Sequence, residues 1–210
     1  MRSLFAVVPC LLAGSVRGED WTATSPAELA MNAPQIEPKA DAEALLWDVR
    51  VAHEIAGGWA RTEMSHYLRI KIFTEGGRDR LGTVDIPYGT NHRISDIAGR
   101  TTRPDGTTVE LQGDSVYDRN VVQAGGVKIN AKSFALPALE VGSIIEYRWR
   151  ESLEEWITNY FRLDFQRDIP VHTVRYHVKP IVYQGFPFGM RSLSSHLKAT
   201  PSPRSATATS

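Results

Sequence analysis

Two neighbouring stretches of the chain alternate between apolar and polar residues. Most odd positions are apolar in residues 45–55, and most even positions are apolar in residues 62–72. A period of two is typical of a β-strand with one buried side. Gly57-Gly58 lies between the stretches, and a two-residue turn there would bring the apolar positions onto one face. The predicted facing pairs are Val51 with Met64, Val49 with His66, and Trp47 with Leu68.

Shorter stretches of the same kind follow, separated by turn signals such as Arg103-Pro-Asp-Gly. The predicted strands are 83–88, 97–102, 107–111, 127–131, 143–149, 157–165 and 171–179. Many short strands with little helical periodicity indicate an all-β or β-dominated fold, an antiparallel sandwich of two packed sheets over residues 41–188. The shared core is predicted to contain Trp47, Val49, Leu68, Ile70, Ile145, Tyr147 and Trp149.

The first residues are typical of a secretory signal peptide. Arg2 precedes the apolar run Leu4–Leu12, which is followed by the small residues Ala13-Gly14-Ser15. We expect residues 1–15 to be removed on export, or residues 1–18 if the second candidate cleavage site is used. The protein is therefore predicted to be exported, either to the periplasm or to the outside of the cell. Nine apolar residues are too few to cross a bilayer of about 30 Å, so no transmembrane segment is expected after cleavage.

Two further stretches differ from the predicted domain. Residues 16–40 contain three prolines and little periodicity, which predicts a linker with one helical turn at Pro26–Ala30. Residues 189–210 are rich in Ser, Thr, Ala and Pro, which predicts a disordered tail.

Composition narrows the function classes. The 24 Lys and Arg residues balance the 24 Asp and Glu residues, and a neutral chain is not typical of nucleic-acid-binding proteins. Cys10 is the only cysteine and lies within the predicted signal peptide. The mature chain is thus expected to have no disulfide, no thiolate metal site and no cysteine nucleophile.

No sequence motif for catalysis or cofactor binding is present: there is no Gly-x-Ser-x-Gly, no phosphate-binding loop and no His-Glu-x-x-His. His172 and His177 are five residues apart on one predicted strand, so they are expected on opposite faces and cannot share a metal ion. A second candidate group, Glu151, Glu154 and Glu155, is interpreted as a solvated turn rather than a pair of catalytic carboxylates. We therefore expect no catalytic, metal-binding or cofactor-binding residues.

Two aromatic residues are the candidates for binding. Trp156 and Tyr160 fall on the face of their predicted strand opposite Phe161, Leu163 and Phe165. Exposed aromatic rings on a sheet can stack on sugars or anchor a protein partner. The alternative is a second core that covers this face. A protein or a cell-wall polysaccharide is accordingly the expected partner.

Several motifs, taken in order, resemble one family. The run Phe134–Arg148 contains Glu-x-Gly-Ser-Ile-Ile-Glu-Tyr, and it is accompanied by Arg69-Ile-Lys-Ile-Phe, the Arg103-Pro-Asp-Gly turn and Ile169-Pro-Val. Together they resemble the bacterial domain of unknown function 3857 over about residues 39–188. The resemblance implies an exported β-rich module of the kind usually found before a transglutaminase-like domain.

The same resemblance implies no catalytic residue in this chain. In such proteins the Cys-His-Asp machinery belongs to the downstream domain, and the low-complexity tail suggests a truncated member. The favoured function is thus a non-catalytic accessory or interaction module of the cell envelope. Two alternatives stay open: a carbohydrate-binding sandwich that uses exposed aromatic residues, and an inactive fragment of a larger transglutaminase-like or protease-like enzyme.

Overall fold

The structure is a computed structural model that describes residues 21–56, 59–124, 127–155, 168–179, 182–183 and 186–187. Strands dominate these ranges. The strands are β1 (Ala42–Ala56), β2 (Trp59–Ile72), β3 (Thr83–Tyr88), β4 (His92–Thr102), β5 (Thr108–Glu110), β6 (Tyr117–Ala124), β7 (Val127–Ala135), β8 (Ile144–Glu155), β9 (Val174–Lys179), β10 (Val182–Tyr183) and β11 (Phe186–Pro187). The helices are α1 (Pro26–Ala30), α2 (Glu75–Leu81) and a 3-10 turn at Gly113–Ser115.

The strands form two main sheets. One has six strands in the order β5-β4-β8-β2-β1-β9, and the other has three in the order β3-β7-β6, while β10 and β11 pair separately. The prediction of a β-dominated fold with two sheets is confirmed. One detail of that prediction is wrong, because β9 pairs with β1 in the parallel direction and the larger sheet is therefore mixed.

The first hairpin has the predicted register. Val51 pairs with Met64, Val49 with His66 and Trp47 with Leu68, and the pairing continues to Ala56 with Trp59. The alternation fails at one point only, since the pairing shifts between Ala44 and Leu46. Leu45 is the extra residue of this β-bulge. Before the bulge, the even positions Ala42 and Ala44 therefore lie on the apolar face and are buried.

The two sheets pack on each other through one face each. The six-stranded sheet contributes buried Leu68, Ile70 and Ile145, and the three-stranded sheet and the segment after it contribute Ile86, Phe134 and Leu136. Trp47, Tyr147 and Trp149 are partly buried against this cluster, and Val49 is buried as well, so all predicted core residues are buried or partly buried. We call this side of the six-stranded sheet its inner face and the other side its outer face.

Helix α2 and strand β6 are among the elements that were not predicted. Helix α2 has the sequence Glu-Gly-Gly-Arg-Asp-Arg-Leu, in which the paired glycines disfavour a helix. It forms because the Thr74 side chain caps it and because Gly77 packs on the Asp41 carbonyl, where a Cβ atom would lie only 2.4 Å from the oxygen. Strand β6 carries mostly polar, exposed residues and therefore lacks the alternation on which strand prediction depends.

The structure tests only some of the predictions about the later strands and about membrane spans. Strand β8 continues to Glu155, so the cluster that begins at Glu151 lies on a strand rather than on a turn. The predicted strand 157–165 lies outside the described residues. None of the helices in the described ranges is long and apolar enough to cross a membrane.

Candidate functional site on the outer face of the six-stranded sheet

Charged residues meet on the outer face because alternation places them there on three adjacent strands. Glu146 of β8 is the register partner of Arg69 on β2 and of Arg100 on β4. Glu146 is completely buried and Arg69 is 4% exposed. A buried carboxylate is stable only when its oxygens are hydrogen-bonded and its charge is compensated.

Glu146 meets both conditions. Its Oε1 accepts hydrogen bonds from Arg69 Nε at 3.1 Å and Nη2 at 2.9 Å, and from the Tyr67 hydroxyl. Its Oε2 accepts from Arg100 Nε at 2.6 Å. The charges on Arg69, Arg100 and Glu146 leave one surplus positive charge, which a further carboxylate must balance.

That carboxylate comes from residues 21–37, which lie across this part of the outer face and which we call the N-terminal strap. Glu28 of the strap accepts hydrogen bonds from Arg69 Nη1 at 2.9 and 3.1 Å. The strap backbone also takes part, because the Thr22 carbonyl accepts from Arg69 Nη2 and, at 3.1 Å, from Arg100 Nη2. The predicted linker 16–40 thus makes specific contacts with the sheet over its described residues.

Helix α1 fixes the position of Glu28. Ser25 caps the helix by accepting from the Glu28 backbone N–H at 3.2 Å, while the Glu28 carboxylate accepts from the Ser25 N–H at 2.7 Å. This capping box, with Pro26 in the first turn, explains why one helical turn forms at the predicted place. The Glu28 carboxylate therefore stabilises the helix and neutralises Arg69 at once.

The surroundings shift the proton affinities of these groups. Burial alone would raise the pKa of Glu28, but the Ser25 N–H and Arg69 outweigh it and lower the pKa of that carboxyl. Burial and the neighbouring Glu146 raise the pKa of the Tyr67 hydroxyl. Burial acts to lower the pKa of Arg69, but Glu146 and Glu28 raise it by more. These pKa shifts favour the charged forms of Glu28 and Arg69 and the neutral form of Tyr67.

An aromatic ring closes one end of the network. The Trp21 ring lies 4.9 Å from the guanidinium carbon of Arg100 and 4.5 Å from that of Arg148. It also contacts the Tyr67 ring, at a centroid distance of 6.1 Å. Two guanidinium groups on one indole are a favourable cation–π arrangement and hold the start of the strap on the sheet.

The rest of the strap is held by a buried carboxylate and a buried amine. Glu43 accepts hydrogen bonds from the backbone N–H groups of residues 35, 36 and 37 at 3.0, 2.7 and 3.2 Å, and it lies 2.8 Å from His172 Nε2. Burial opposes ionisation of Glu43, but these N–H groups lower its pKa overall. Lys71 donates to the Leu29 carbonyl at 2.9 Å and to the Gly142 carbonyl at 2.6 Å, and burial lowers its pKa.

The motifs that carry the family resemblance meet around this network. Arg69 and Lys71 come from one motif, and Glu146 comes from another. Arg103, in the Pro-Asp-Gly turn, pairs with Glu140 at 2.9 Å. Gly142 has a φ of +87°, and a Cβ atom there would lie 3.1 Å from the Pro104 ring, so glycine is required for two reasons.

A second group of titratable residues lies on the inner face. Glu151 Oε1 is 2.6 Å from His92 Nδ1, and Glu151 Oε2 is 3.6 Å from His66 Nε2. The His66 ring stacks on Trp149 at a centroid distance of 4.3 Å. Burial acts to raise the pKa of Glu151, but the two histidines lower it by more. The interpretation of Glu151 as part of a solvated turn is therefore wrong, since it lies between two histidines on a strand.

Two further histidines of the described residues, His172 and His177, also pair locally. His172 lies beside Glu43 and His177 lies 3.2 Å from Asp48, both on the outer face. The prediction that they point to opposite faces is wrong, because His172 precedes β9 and does not share the strand's alternation. Within the described ranges, no group of three or more His, Cys, Asp or Glu residues could hold a metal ion.

The predicted binding residues cannot be placed. Trp156 and Tyr160 lie outside the described residues. The outer-face network was missed because Arg69 and Lys71 were interpreted as the solvent side of a hairpin. The predicted register could not show the pairing of Glu43 with Lys71, because Glu43 comes to face Lys71 only through the bulge between Ala44 and Leu46.

Comparisons with known proteins agree with the family resemblance and with the fold. The family model described as "Domain of Unknown Function with solved-structure structure (DUF3857)" matches residues 60–180, more than half of the chain. No curated protein sequence matches the chain. A crystal structure at 2.00 Å resolution of a "putative protease" from Parabacteroides distasonis has the same fold over 66% of this chain, with a TM-score of 0.55 and 17% identity. The match spans 28% of that protein's chain.

Proposed function

Since the chain belongs to the DUF3857 family, we propose that it serves as a non-catalytic accessory and interaction module of the cell envelope. The observation that carries this proposal is that the charged groups of the outer-face network already have hydrogen-bond partners within the chain. Each Glu146 oxygen is occupied by a guanidinium donor, and Arg69 is shared between Glu146 and Glu28. Because these carboxylate and guanidinium groups already hydrogen-bond to one another, they have no hydrogen-bonding capacity left for a reacting substrate.

The inner-face histidines support the same proposal. A general base must present a free nitrogen to its substrate within hydrogen-bond distance. His92 and His66 instead flank a single carboxylate, and the His66 ring is stacked on Trp149. Among the described residues, the side-chain hydrogen bonds and ion pairs of His66 and His92 include no serine or cysteine.

Export and a catalytic neighbour are further parts of the proposal. The apolar run Leu4–Leu12 with the small residues that follow supports a signal peptide. The fold recurs within a longer protein called a putative protease, of which it spans 28%, which supports a module that accompanies a separate catalytic domain. The carbohydrate-binding alternative depends on Trp156 and Tyr160 and stays a prediction.

An activity assay tests the non-catalytic role. The purified chain should incorporate no amine into a glutamine substrate and should hydrolyse no peptide above the background rate. His66→Ala and His172→Ala are the control variants, since they remove the two best-placed imidazoles from the two faces. Turnover that either substitution abolishes would show that the chain is an enzyme.

A further inference from the structure

The Glu43 carboxylate joins two parts of the chain that are far apart in sequence. Its Oε1 accepts hydrogen bonds from the backbone N–H groups of Ile36 and Glu37 at 2.7 and 3.2 Å, and its Oε2 accepts from that of Gln35 at 3.0 Å. The same Oε2 lies 2.8 Å from Nε2 of His172, which is 129 residues further along the chain. One carboxylate oxygen is therefore shared by the N-terminal strap and by the segment that leads into β9.

The bulge in β1 brings Glu43 to this position. After the bulge, the odd-numbered residues Trp47 and Val49 lie on the inner face. Ahead of the bulge the parity is reversed, so Glu43 pairs with Lys71 and lies on the outer face, where it is completely buried. A buried carboxylate is stable only when its oxygens are hydrogen-bonded. The strap and His172 supply donors to these oxygens.

The ionisation of Glu43 determines which partner donates in the contact with His172. Burial opposes ionisation, but the N–H groups of residues 35 and 36 and the His172 ring lower the pKa of the carboxyl from 4.5. An ionised carboxylate only accepts hydrogen bonds, so Nε2 of His172 carries the hydrogen and donates it. The contact is thus a charge-assisted hydrogen bond, as are those from the strap.

The segment 169–173 holds His172 in place through its own backbone contacts. The His172 N–H donates to the Ala44 carbonyl at 2.8 Å, and the Ala44 N–H donates to the Pro170 carbonyl at 2.9 Å. These bonds form a parallel bridge between Ala44 and Val171. Ile169, at the start of the segment, is buried in the hydrophobic core. The position of the His172 ring is therefore fixed by contacts in which the strap takes no part.

The strap meets Glu43 through three successive backbone N–H groups, those of residues 35–37. Such a run of N–H groups forms a concave site for a single anion. It fits the carboxylate in one orientation, whereas a free glutamate side chain has three rotatable bonds. Fixing such a side chain costs free energy equivalent to about a tenfold change in an equilibrium constant. A donor that holds the carboxylate beforehand removes this cost from the docking of the strap.

We propose that the segment entering β9 controls the docking of the strap, because His172 holds the Glu43 carboxylate in the orientation that residues 35–37 require. His172 is a positioning residue in this device and acts through Glu43. Coupling of this kind is reciprocal, so a partner that displaces either the strap or the segment 169–173 would loosen the other. The coupling goes beyond the proposed function and does not depend on it.

Hydrogen exchange of the backbone amides of residues 35–37 measures the opening of the strap. The experiment uses the full chain at neutral pH, with exchange followed by NMR. His172→Phe keeps a ring but removes the donor, and the exchange rates at 35–37 should rise about tenfold, the free energy of fixing the carboxylate. His172→Gln carries an N–H donor on a side chain of similar reach and should keep the rates close to those of the wild type.

Two controls test whether the effect passes through Glu43. His177→Phe makes the same substitution on β9, where His177 lies 3.2 Å from another outer-face carboxylate, Asp48. It should leave the exchange rates at 35–37 unchanged. In a chain that already carries Glu43→Gln, these amides should exchange fast, and adding His172→Phe should raise their rates no further.

Unchanged rates at residues 35–37 in His172→Phe would overturn the proposed coupling. The same conclusion would follow if His177→Phe had an equal effect, if His172→Gln behaved like His172→Phe, or if His172→Phe still acted in the Glu43→Gln chain. An equal rise at the amides of Leu68 and Ile70, in the centre of the sheet, would assign the effect to global stability and would also refute the coupling.

Discussion

Arg69 and Arg50 project from the same face of neighbouring strands, yet their side chains are 4% and 60% exposed. Arg69 lies beneath the strap, between Glu146 and Glu28 at 2.9 Å each. Arg50 has a carboxylate, Asp48, at 3.5 Å, and most of its side chain is exposed. The same type of side chain therefore has two environments in one sheet: burial makes the first arginine part of a fixed network, and exposure leaves the second largely in solvent.

The largest effect is expected from Glu146→Gln in the covered part. The amide removes the charge that compensates two arginines, and breaking a buried pair costs about 3–5 kcal/mol of the free energy of unfolding. Chemical denaturation followed by circular dichroism measures the loss. If the variant does not fold, Arg100→Gln gives a smaller version of the same loss, because Arg100 is 15% exposed.

Glu63→Gln is the matched control, because it makes the same chemical change on the outer face of β2, six residues before Arg69. Its free energy of unfolding should stay within about 0.5 kcal/mol of the wild-type value, as for most surface substitutions. Equal losses for Glu146→Gln and Glu63→Gln would mean that the two parts of the outer face do not differ in the way described.

An intermediate loss of stability, which depends on pH, is expected from Glu43→Gln. Glu43 faces three backbone N–H groups and His172, and its pKa in the folded protein is lowered from 4.5. A carboxyl with a lowered folded pKa stabilises the protein above its unfolded pKa and loses that contribution as the pH falls through the folded pKa. The variant should therefore be less stable than wild type by about 2 kcal/mol at pH 7, and the difference should shrink below pH 4.5.

Thermal unfolding at a series of pH values measures this difference. Glu140→Gln is the control, since Glu140 is a half-exposed carboxylate, 44% accessible, paired with Arg103. Its difference from wild type should be small at every pH. A difference for Glu43→Gln that stays constant down to pH 3 would show that the loss comes from packing and not from the charge.

The sequence predicted the inner face better than the outer face, for a physical reason. Alternation and the Gly57-Gly58 turn determine the register of the first hairpin, because a slip by one residue would expose every apolar side chain. The outer face has the same period but a polar pattern, and a polar pattern is compatible both with solvent and with a covering segment. Only the strap distinguishes the two, and its contacts with Arg69 and Lys71 join residues more than forty positions apart.

The bulge at Leu45 and helix α2 show the same limit on a smaller scale. Leu45 is apolar and has the parity of the core, so no local signal shows that the pairing slips beside it. Helix α2 is selected by the contact between Gly77 and Asp41, against its own helix propensity. The glutamates after Trp149 were misplaced because a run of charges is usually solvated, whereas Glu151 is held by histidines from two other strands.

The smallest loss of stability is expected from Arg150→Gln. This substitution gives the most direct comparison between an exposed arginine and the buried Arg69. Arg150 is half-exposed and pairs with an exposed aspartate at 3.1 Å, and such pairs contribute about 0–1 kcal/mol. The midpoint of denaturation should therefore stay close to that of the wild type. Arg69→Gln, on the same face of the next strand, should lower the midpoint strongly, because it leaves Glu146 and Glu28 without a shared partner. A large loss of stability for Arg150→Gln would mean that this exposed arginine stabilises the fold as Arg69 does.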